Sequence, residues 1–347
     1  MKSFVLGIVV VTVLTGCANK AYIQAAGGYG EQLVGYAETT ENLISSINEA
    51  RNMDERNRVY AQWITSGSVK CKDAGCITHL EYKDAKALAD SLQLFGQALV
   101  DINKGRADAS KEYTADLVEA LQNLRDIKTL EKQMVSFDSL NGASRYSQLQ
   151  KHLSDENLSK LAVLARSIGR WRYDHVASKH IEETLSSTGD LIKSLTEALA
   201  SVNLALLDQL LSSINESEQT QRRLEKIFLS CQQGCPTFAV ISTPTGQTLV
   251  YGGSLKEYLD NQISVRDGVS ALETTKKKFT IDGKTIDALS QAHSALSKGP
   301  ESICMSQEKE EGCISVKAAY KQAKEEIDEL KALQKGIRTA LSKGGNK

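Results

Sequence analysis

The sequence predicts an all-α fold, an elongated antiparallel helical bundle with coiled-coil-like helices. Only three of its 347 residues are proline, and none precedes Pro236, so no proline breaks a helix interior over the first two thirds of the chain. The chain is rich in Ala, Leu, Glu, Lys and Gln, which favour helices. Apolar residues also recur at alternating steps of three and four, the spacing of a buried helix face.

Residues 1–16 have the pattern of a signal peptide. Lys2 supplies a positive start, and an apolar run follows at residues 4–13. A run of about ten apolar residues is the length of a signal-peptide core, whereas a membrane-spanning helix needs about twenty. The run leads into Leu14-Thr15-Gly16-Cys17, in which small residues precede a cysteine.

This tetrapeptide resembles the lipobox of bacterial lipoproteins. The resemblance implies that the signal is removed before Cys17, that the Cys17 thiol receives a diacylglycerol, and that a fatty acid such as palmitate is added to the new amino group. Two or three acyl chains hold a protein durably on a membrane. Ala18 follows Cys17 where an Asp would retain such a protein at the inner membrane, so the resemblance favours the periplasmic face of the outer membrane. The alternative is an ordinary secretory signal that contains a cysteine.

The chain after the signal divides into segments by composition. Residues 17–30, which include Gly27, Gly28 and Gly30, are expected to form a lipidated tether. Residues 31–235 are expected to form the main helical bundle, beginning with a helix at residues 31–65. The second helix has a coiled-coil seam with a 4-3-4-3 spacing: Leu88, Leu92, Phe95, Leu99 and Ile102. Gly105 could kink this helix, and Thr188-Gly189 could interrupt a later one.

Residues 236–300 are predicted to form an irregular mixed segment. Two β-favouring runs, Phe238 to Ser242 and Thr248 to Tyr251, flank Pro244-Thr245-Gly246 and predict a small β-hairpin within residues 237–285. The run from Phe279 to Gly283 could add another strand. Residues 301–347 are predicted to contain a C-terminal helix that packs on the bundle. Its heptad register is interrupted only at Gln334: Val316, Tyr320, Ala323, Ile327, Leu330, Ile337 and Leu341.

The six cysteines other than Cys17 form three close pairs along the chain: Cys71 with Cys76, Cys231 with Cys235, and Cys304 with Cys313. Disulfides persist in exported proteins, and the short spacings favour pairing within each pair, although six cysteines allow other connectivities. A zinc site is the alternative. It usually shows C-x2-C spacing or nearby histidines, which these pairs lack.

No enzymatic motif, cofactor site or metal site is predicted. The sequence lacks the phosphate loop, the nucleophile elbow, the HExxH zinc motif and the dinucleotide-binding glycine pattern. Its one histidine cluster contains Asp174, His175, His180, Glu182 and Glu183, and histidines five positions apart do not share a helix face. Lys and Arg (42) balance Asp and Glu (43), so nucleic acid is not an expected partner.

These observations favour a protein-interaction or structural role in the cell envelope for a lipid-anchored helical bundle. The expected partners are the membrane, through the lipid, and another envelope protein. The chain could also form an oligomer. Two alternatives remain open. One is binding of a small apolar ligand, or hydrolysis, near residues 236–300. The other is immunity against a toxin or exclusion of a phage.

Overall fold

The computed structural model describes residues 2–67, 81–125, 142–159, 174–230, 238–243, 246–251, 283–300 and 316–343. It also describes residues 69, 127, 130, 132, 134, 269, 272–275, 277 and 278. The three predicted disulfides lie outside these residues, as do the predicted strand from Phe279 up to Asp282 and the side chain of Cys17.

Long helices dominate the described part of the chain. They are α1 (Lys2–Ser66), α2 (Lys83–Asn103), α3 (Ala107–Arg125), α4 (Gly142–His152), α5 (Asp174–Ser230), α6 (Lys284–Leu296) and α7 (Val316–Lys343). The predicted hairpin is confirmed as an antiparallel pair, β1 (Phe238–Thr243) and β2 (Gly246–Tyr251), with Phe238 opposite Tyr251. The all-α helical bundle predicted from composition and periodicity is therefore confirmed, with the hairpin as a small addition.

The described chain forms two compact units rather than the linear segments expected from the sequence. Unit 1 contains residues 1–40, 83–203 and 278–329, and unit 2 contains residues 41–82, 204–277 and 330–347. Each unit is therefore assembled from three separate stretches. Composition changes along the chain could not reveal this division, because each unit combines residues that are distant in sequence.

Residues 19–30 of unit 1 contribute to the core, which corrects the prediction of a tether at residues 17–30. They continue α1, and Tyr22, Ala26 and Tyr29 are almost fully buried. The glycines serve close packing: a Cβ on Gly30 would lie 2.9 Å from the Leu99 Cβ and closer still to the Gly96 carbonyl oxygen. A Cβ on Gly96 would in turn lie 2.6 Å from the Gly30 carbonyl oxygen. Helices can cross this closely only where both lack side chains.

A sharp turn separates α2 from α3, where the sequence suggested a kink. Gly105 has φ +70, a left-handed conformation that glycine adopts easily. Asp101 is buried before the turn and accepts hydrogen bonds from Arg106 and from Gln97 Nε2, the latter at 3.3 Å. The backbone N–H of Arg106 also donates to the Asp101 carbonyl at 2.8 Å. These contacts allow α3 to pack back against α2.

In unit 2, α1 and α5 run parallel to each other. Asp54 accepts a 2.7 Å hydrogen bond from the Thr220 hydroxyl, and further along both helices the rings of Tyr60 and Phe228 stack with centroids 5.9 Å apart. From the first contact to the second, the residue numbers increase along both helices, so the two helices run in the same direction. Parallel neighbours require a long connection, and residues 67–173 supply it. The antiparallel arrangement expected from the sequence does apply to α1 with α2, since Gly27 lies against Asn103 and Gly30 against Gly96.

The C-terminal helix confirms the predicted heptad register at the five of its seven positions whose side chains the structure describes. Buried positions on α7 occur at the predicted spacing: Ala323, Ile327, Leu330, Ile337 and Leu341. Gln334 occupies the one polar position of this face and is also buried. In unit 1, two residues of α7 contact Lys278: its Nζ lies 2.7 Å from Glu326 Oε2 and 2.8 Å from Glu329 Oε2.

Candidate functional site

Three helices of unit 1 meet at a buried histidine, His293. It lies on α6, a helix that the sequence reading placed within an irregular segment. One face of α6 is buried at steps of three and four, formed by Ile286, Leu289, His293 and Leu296. Such spacing is typical of a helix that packs on others. The histidine interrupts an otherwise apolar face, so the apolar spacing of this helix is hard to recognise in the sequence.

Both ring nitrogens of His293 have hydrogen-bond partners on other helices. Nε2 lies 3.0 Å from the Leu185 carbonyl oxygen on α5, and Nδ1 lies 3.1 Å from the Tyr29 hydroxyl on α1. A carbonyl can only accept, so Nε2 carries the proton in the neutral ring and Nδ1 accepts from Tyr29. The two rings meet edge to face with centroids 5.6 Å apart. One side chain thereby connects three helices.

Gly189 makes room for this ring. The sequence suggested that Thr188-Gly189 could interrupt a helix, but α5 continues through both residues. A Cβ at Gly189 would lie 3.1 Å from His293 Nε2, a tight contact for the ring nitrogen that bonds to Leu185. The glycine therefore provides space for the α6 histidine without ending the helix.

The C-terminal end of α6 is tied to its neighbours by side chains. The Tyr22 hydroxyl donates to the Leu296 carbonyl at 2.7 Å, and the Ser186 hydroxyl donates to the Ser297 carbonyl at 2.9 Å. Carbonyls at the end of a helix lack partners within the helix, so these bonds satisfy groups that would otherwise need water. Gly299 follows with φ +83, where a Cβ would meet the carboxylate of Glu182.

A groove with a volume of about 310 Å³ opens between α5 and α6, and Tyr29 and His293 both line it. Five serines and one threonine contribute hydroxyls to its lining: Ser186, Ser187, Ser290, Ser294, Ser297 and Thr196. Asp190 and Lys193, one helical turn apart on α5, add one charge of each sign. Four of these hydroxyls, those of Ser186, Ser187, Thr196 and Ser297, already donate to backbone carbonyls. His293 cannot act as a base there without losing one of its two hydrogen bonds.

Burial controls the protonation of both partners. Burial lowers the pKa of His293 below its ordinary value of 6.5, against the opposing effects of the bond to Leu185 and the charge of Asp190. Burial likewise raises the pKa of Tyr29 well above its usual value. The phenol therefore stays protonated and able to donate, and the imidazole stays neutral and able to accept.

This lowered pKa predicts that acid destabilises unit 1. Above pH 6.5 both the folded and the unfolded states hold a neutral His293. Below it the unfolded state binds the proton first, so the free energy of unfolding falls by up to about 1.4 kcal/mol per pH unit until the folded pKa is reached. Chemical denaturation as a function of pH measures this loss. His293→Gln, which cannot titrate, should show a shallower loss, and an identical pH profile would contradict the prediction.

Of the histidine cluster noted in the sequence, the structure describes the side chains of His180, Glu182 and Glu183. His180 Nδ1 lies 3.3 Å from Glu183 Oε2, one turn along α5, and Glu182 lies instead beside Gly299. Among the described residues no group of three or more His, Cys, Asp or Glu side chains could hold a metal ion. The described helices also include none with the length and hydropathy needed to cross a membrane.

Sequence reasoning did not identify the residues of the His293 site. The chain has five histidines, and no motif in the sequence surrounds His293. Tyr29 lay in the expected tether. The spacing of Ile286, Leu289, His293 and Leu296 could have indicated the helix, but nothing in the sequence indicates that Tyr29 would meet its histidine. No protein-family model, no curated protein and no solved structure matches this chain.

Proposed function

We propose that the protein is a lipid-anchored helical lipoprotein that serves as an interaction or structural component of a bacterial cell envelope. The single observation that carries the proposal is the sequence Leu14-Thr15-Gly16-Cys17 at the end of a signal-like segment. The resemblance to a lipobox favours export, acylation of Cys17 and placement at the periplasmic face of the outer membrane.

The position of the buried residues after Cys17 sharpens this proposal. Asn19 is buried and accepts a 2.9 Å hydrogen bond from the Ser178 hydroxyl on α5, and Tyr22 is fully buried. A buried side chain of unit 1 therefore lies only two residues after the cysteine. A lipid at Cys17 would hold unit 1 directly at the membrane surface, without a flexible spacer. Such an attachment suits a protein that presents its helices to a neighbouring envelope component.

Substitution of the cysteine tests the anchor. Cys17→Ser should abolish acylation, because serine has no thiol to form the thioether, and the protein should keep residues 1–16 and lose its acyl mass. The mass spectrum of the purified protein and its partition between membrane and soluble fractions measure both effects. Ala18→Ser is the matched control and should still be processed and acylated. A wild-type protein with an intact N-terminus and an unmodified Cys17 would contradict the proposal.

The interaction role has its own test. After chemical crosslinking of intact envelopes, wild-type protein should recover a specific envelope protein at constant stoichiometry. Recovery of lipid and abundant porins alone would argue against this role even if the anchor is confirmed. The two tests therefore separate the location of the protein from its task.

A further inference from the structure

We propose that a pocket of unit 2 between α7 and α1 binds a protonated phosphate group, either inorganic phosphate or a phosphate monoester. The pocket has a volume of about 290 Å³. Its lining consists of Lys331, Lys335, Arg338 and Thr339 from α7 together with Asn42 and Glu49 from α1. The proposal is independent of the envelope role proposed above.

The charge of α7 is segregated along the helix. Acidic residues end at Glu329, and from there to Lys347 the chain contains five basic residues and no acidic one. Lys331, Lys335 and Arg338 follow each other at steps of four and three and line the same pocket. Among the residues that line the pocket, three positive side chains and the one carboxylate of Glu49 sum to a net charge of +2. Such a concentration of positive charge favours an anion.

The guanidinium of Arg338 is oriented by the opposite wall. Its Nη1 lies 3.4 Å from Asn42 Oδ1, and its Nη2 lies 3.4 Å from Glu49 Oε1. These long contacts direct the planar fork towards α1 and leave other N–H groups for a ligand, because arginine has five donors. The Lys335 carbonyl accepts a 2.8 Å hydrogen bond from the Thr339 hydroxyl, whereas its ammonium group makes no hydrogen bond or ion pair with any described residue. An oxyanion that bridges Arg338 and Lys335 would receive charge-assisted hydrogen bonds from both.

Glu49 supplies the specificity. Glu49 lines the pocket, and its Oε2 is enclosed by protein, so Oε1 is the carboxylate oxygen that a ligand can reach. The contact of Oε1 with Arg338 Nη2 is long, at 3.4 Å, and leaves this oxygen able to accept a further hydrogen bond. A phosphate that retains one proton can donate that proton to Glu49 Oε1 while its other oxygens accept from the cations. Sulfate has no such proton, and its charge would be repelled by the carboxylate. The pocket should therefore prefer phosphate to sulfate.

Calorimetric titration of the full protein with inorganic phosphate, at a slightly acid pH where a phosphate monoester would also keep a proton, tests the proposal. One phosphate should bind per chain, and sulfate should bind about tenfold more weakly or not at all. Lys335→Gln and Arg338→Gln should each weaken phosphate binding about tenfold, the effect of losing one charged hydrogen bond. Lys324→Gln, an exposed substitution on α7 outside the pocket, should leave affinity unchanged.

Glu49→Gln provides the sharpest comparison. An amide can donate to a fully ionised oxyanion, so this variant should bind sulfate as well as phosphate and lose the discrimination. Vesicles of phosphatidic acid and of phosphatidylcholine distinguish the sources. If the protein binds phosphatidic acid vesicles and inorganic phosphate displaces it from them, a lipid phosphate monoester is a ligand. If the protein binds phosphate but not these vesicles, the ligand is a soluble phosphate. No phosphate binding, equal affinity for sulfate in the wild type, or unchanged affinity in the Lys335 and Arg338 variants would overturn the proposal.

Discussion

Replacement of Gly30 by alanine is expected to destabilise the protein by about 3 kcal/mol, at the upper end of the range for overpacked interiors. The new methyl group would lie 2.9 Å from the Leu99 Cβ and closer to the Gly96 carbonyl oxygen. The latter is a backbone atom of α2 and cannot rotate away, so α1 and α2 must separate. Denaturant unfolding monitored by circular dichroism measures the loss, and amide exchange in α2 should accelerate.

Gly336→Ala is the matched control for this substitution. Gly336 lies inside α7, and a Cβ there would meet no atom within 4 Å. The same chemical change should therefore stabilise the protein by up to about 1 kcal/mol, the difference in helix propensity between the two residues. If Gly30→Ala is also neutral or stabilising, the close crossing of α1 and α2 is not present in solution.

Replacement of His293 by alanine is expected to cost about 3–4 kcal/mol. The change empties the space of a buried ring, and large-to-small core substitutions cost about 2–5 kcal/mol. It also leaves the buried Tyr29 hydroxyl without its acceptor, which costs about 1–3 kcal/mol where no replacement is found. The connection between α1, α5 and α6 is lost together with the ring. The free energy of unfolding at neutral pH measures the effect.

A double-mutant cycle with Tyr29→Phe separates the hydrogen bond from the lost volume. Tyr29→Phe alone should cost about 1–2 kcal/mol, because the unprotonated Nδ1 of His293 loses its donor. The two substitutions together should cost less than their sum by about 1 kcal/mol, since contacting residues are coupled. His152→Ala at the end of α4, on a partly exposed histidine, should change stability by less than about 0.5 kcal/mol. Strict additivity of the two core substitutions would show that the bond does not exist.

Local sequence patterns predicted the structural elements that depend only on residues close to one another in the sequence. The stripes on α2 and α7 and the hairpin follow from side-chain spacing and turn residues, which depend on a few adjacent positions. A tether was predicted at residues 17–30 because of their glycines, but glycine can have either of two structural roles. It permits unusual backbone conformations, as at Gly105, and it permits close approach of two helices, as at Gly30. The role of Gly30 in close packing becomes evident only when Gly96 is seen opposite it on another helix.

The sequence by itself determined the helical fold class, the spacing of the buried faces and the lipobox-like N-terminus, because each depends on short-range order along the chain. The tertiary structure alone decided the division into two units, the parallel course of α1 and α5, and the meeting of Tyr29, Leu185 and His293. These features join residues more than a hundred positions apart. The hydrogen bonds and close contacts that select such partners leave no periodic signal in any one segment.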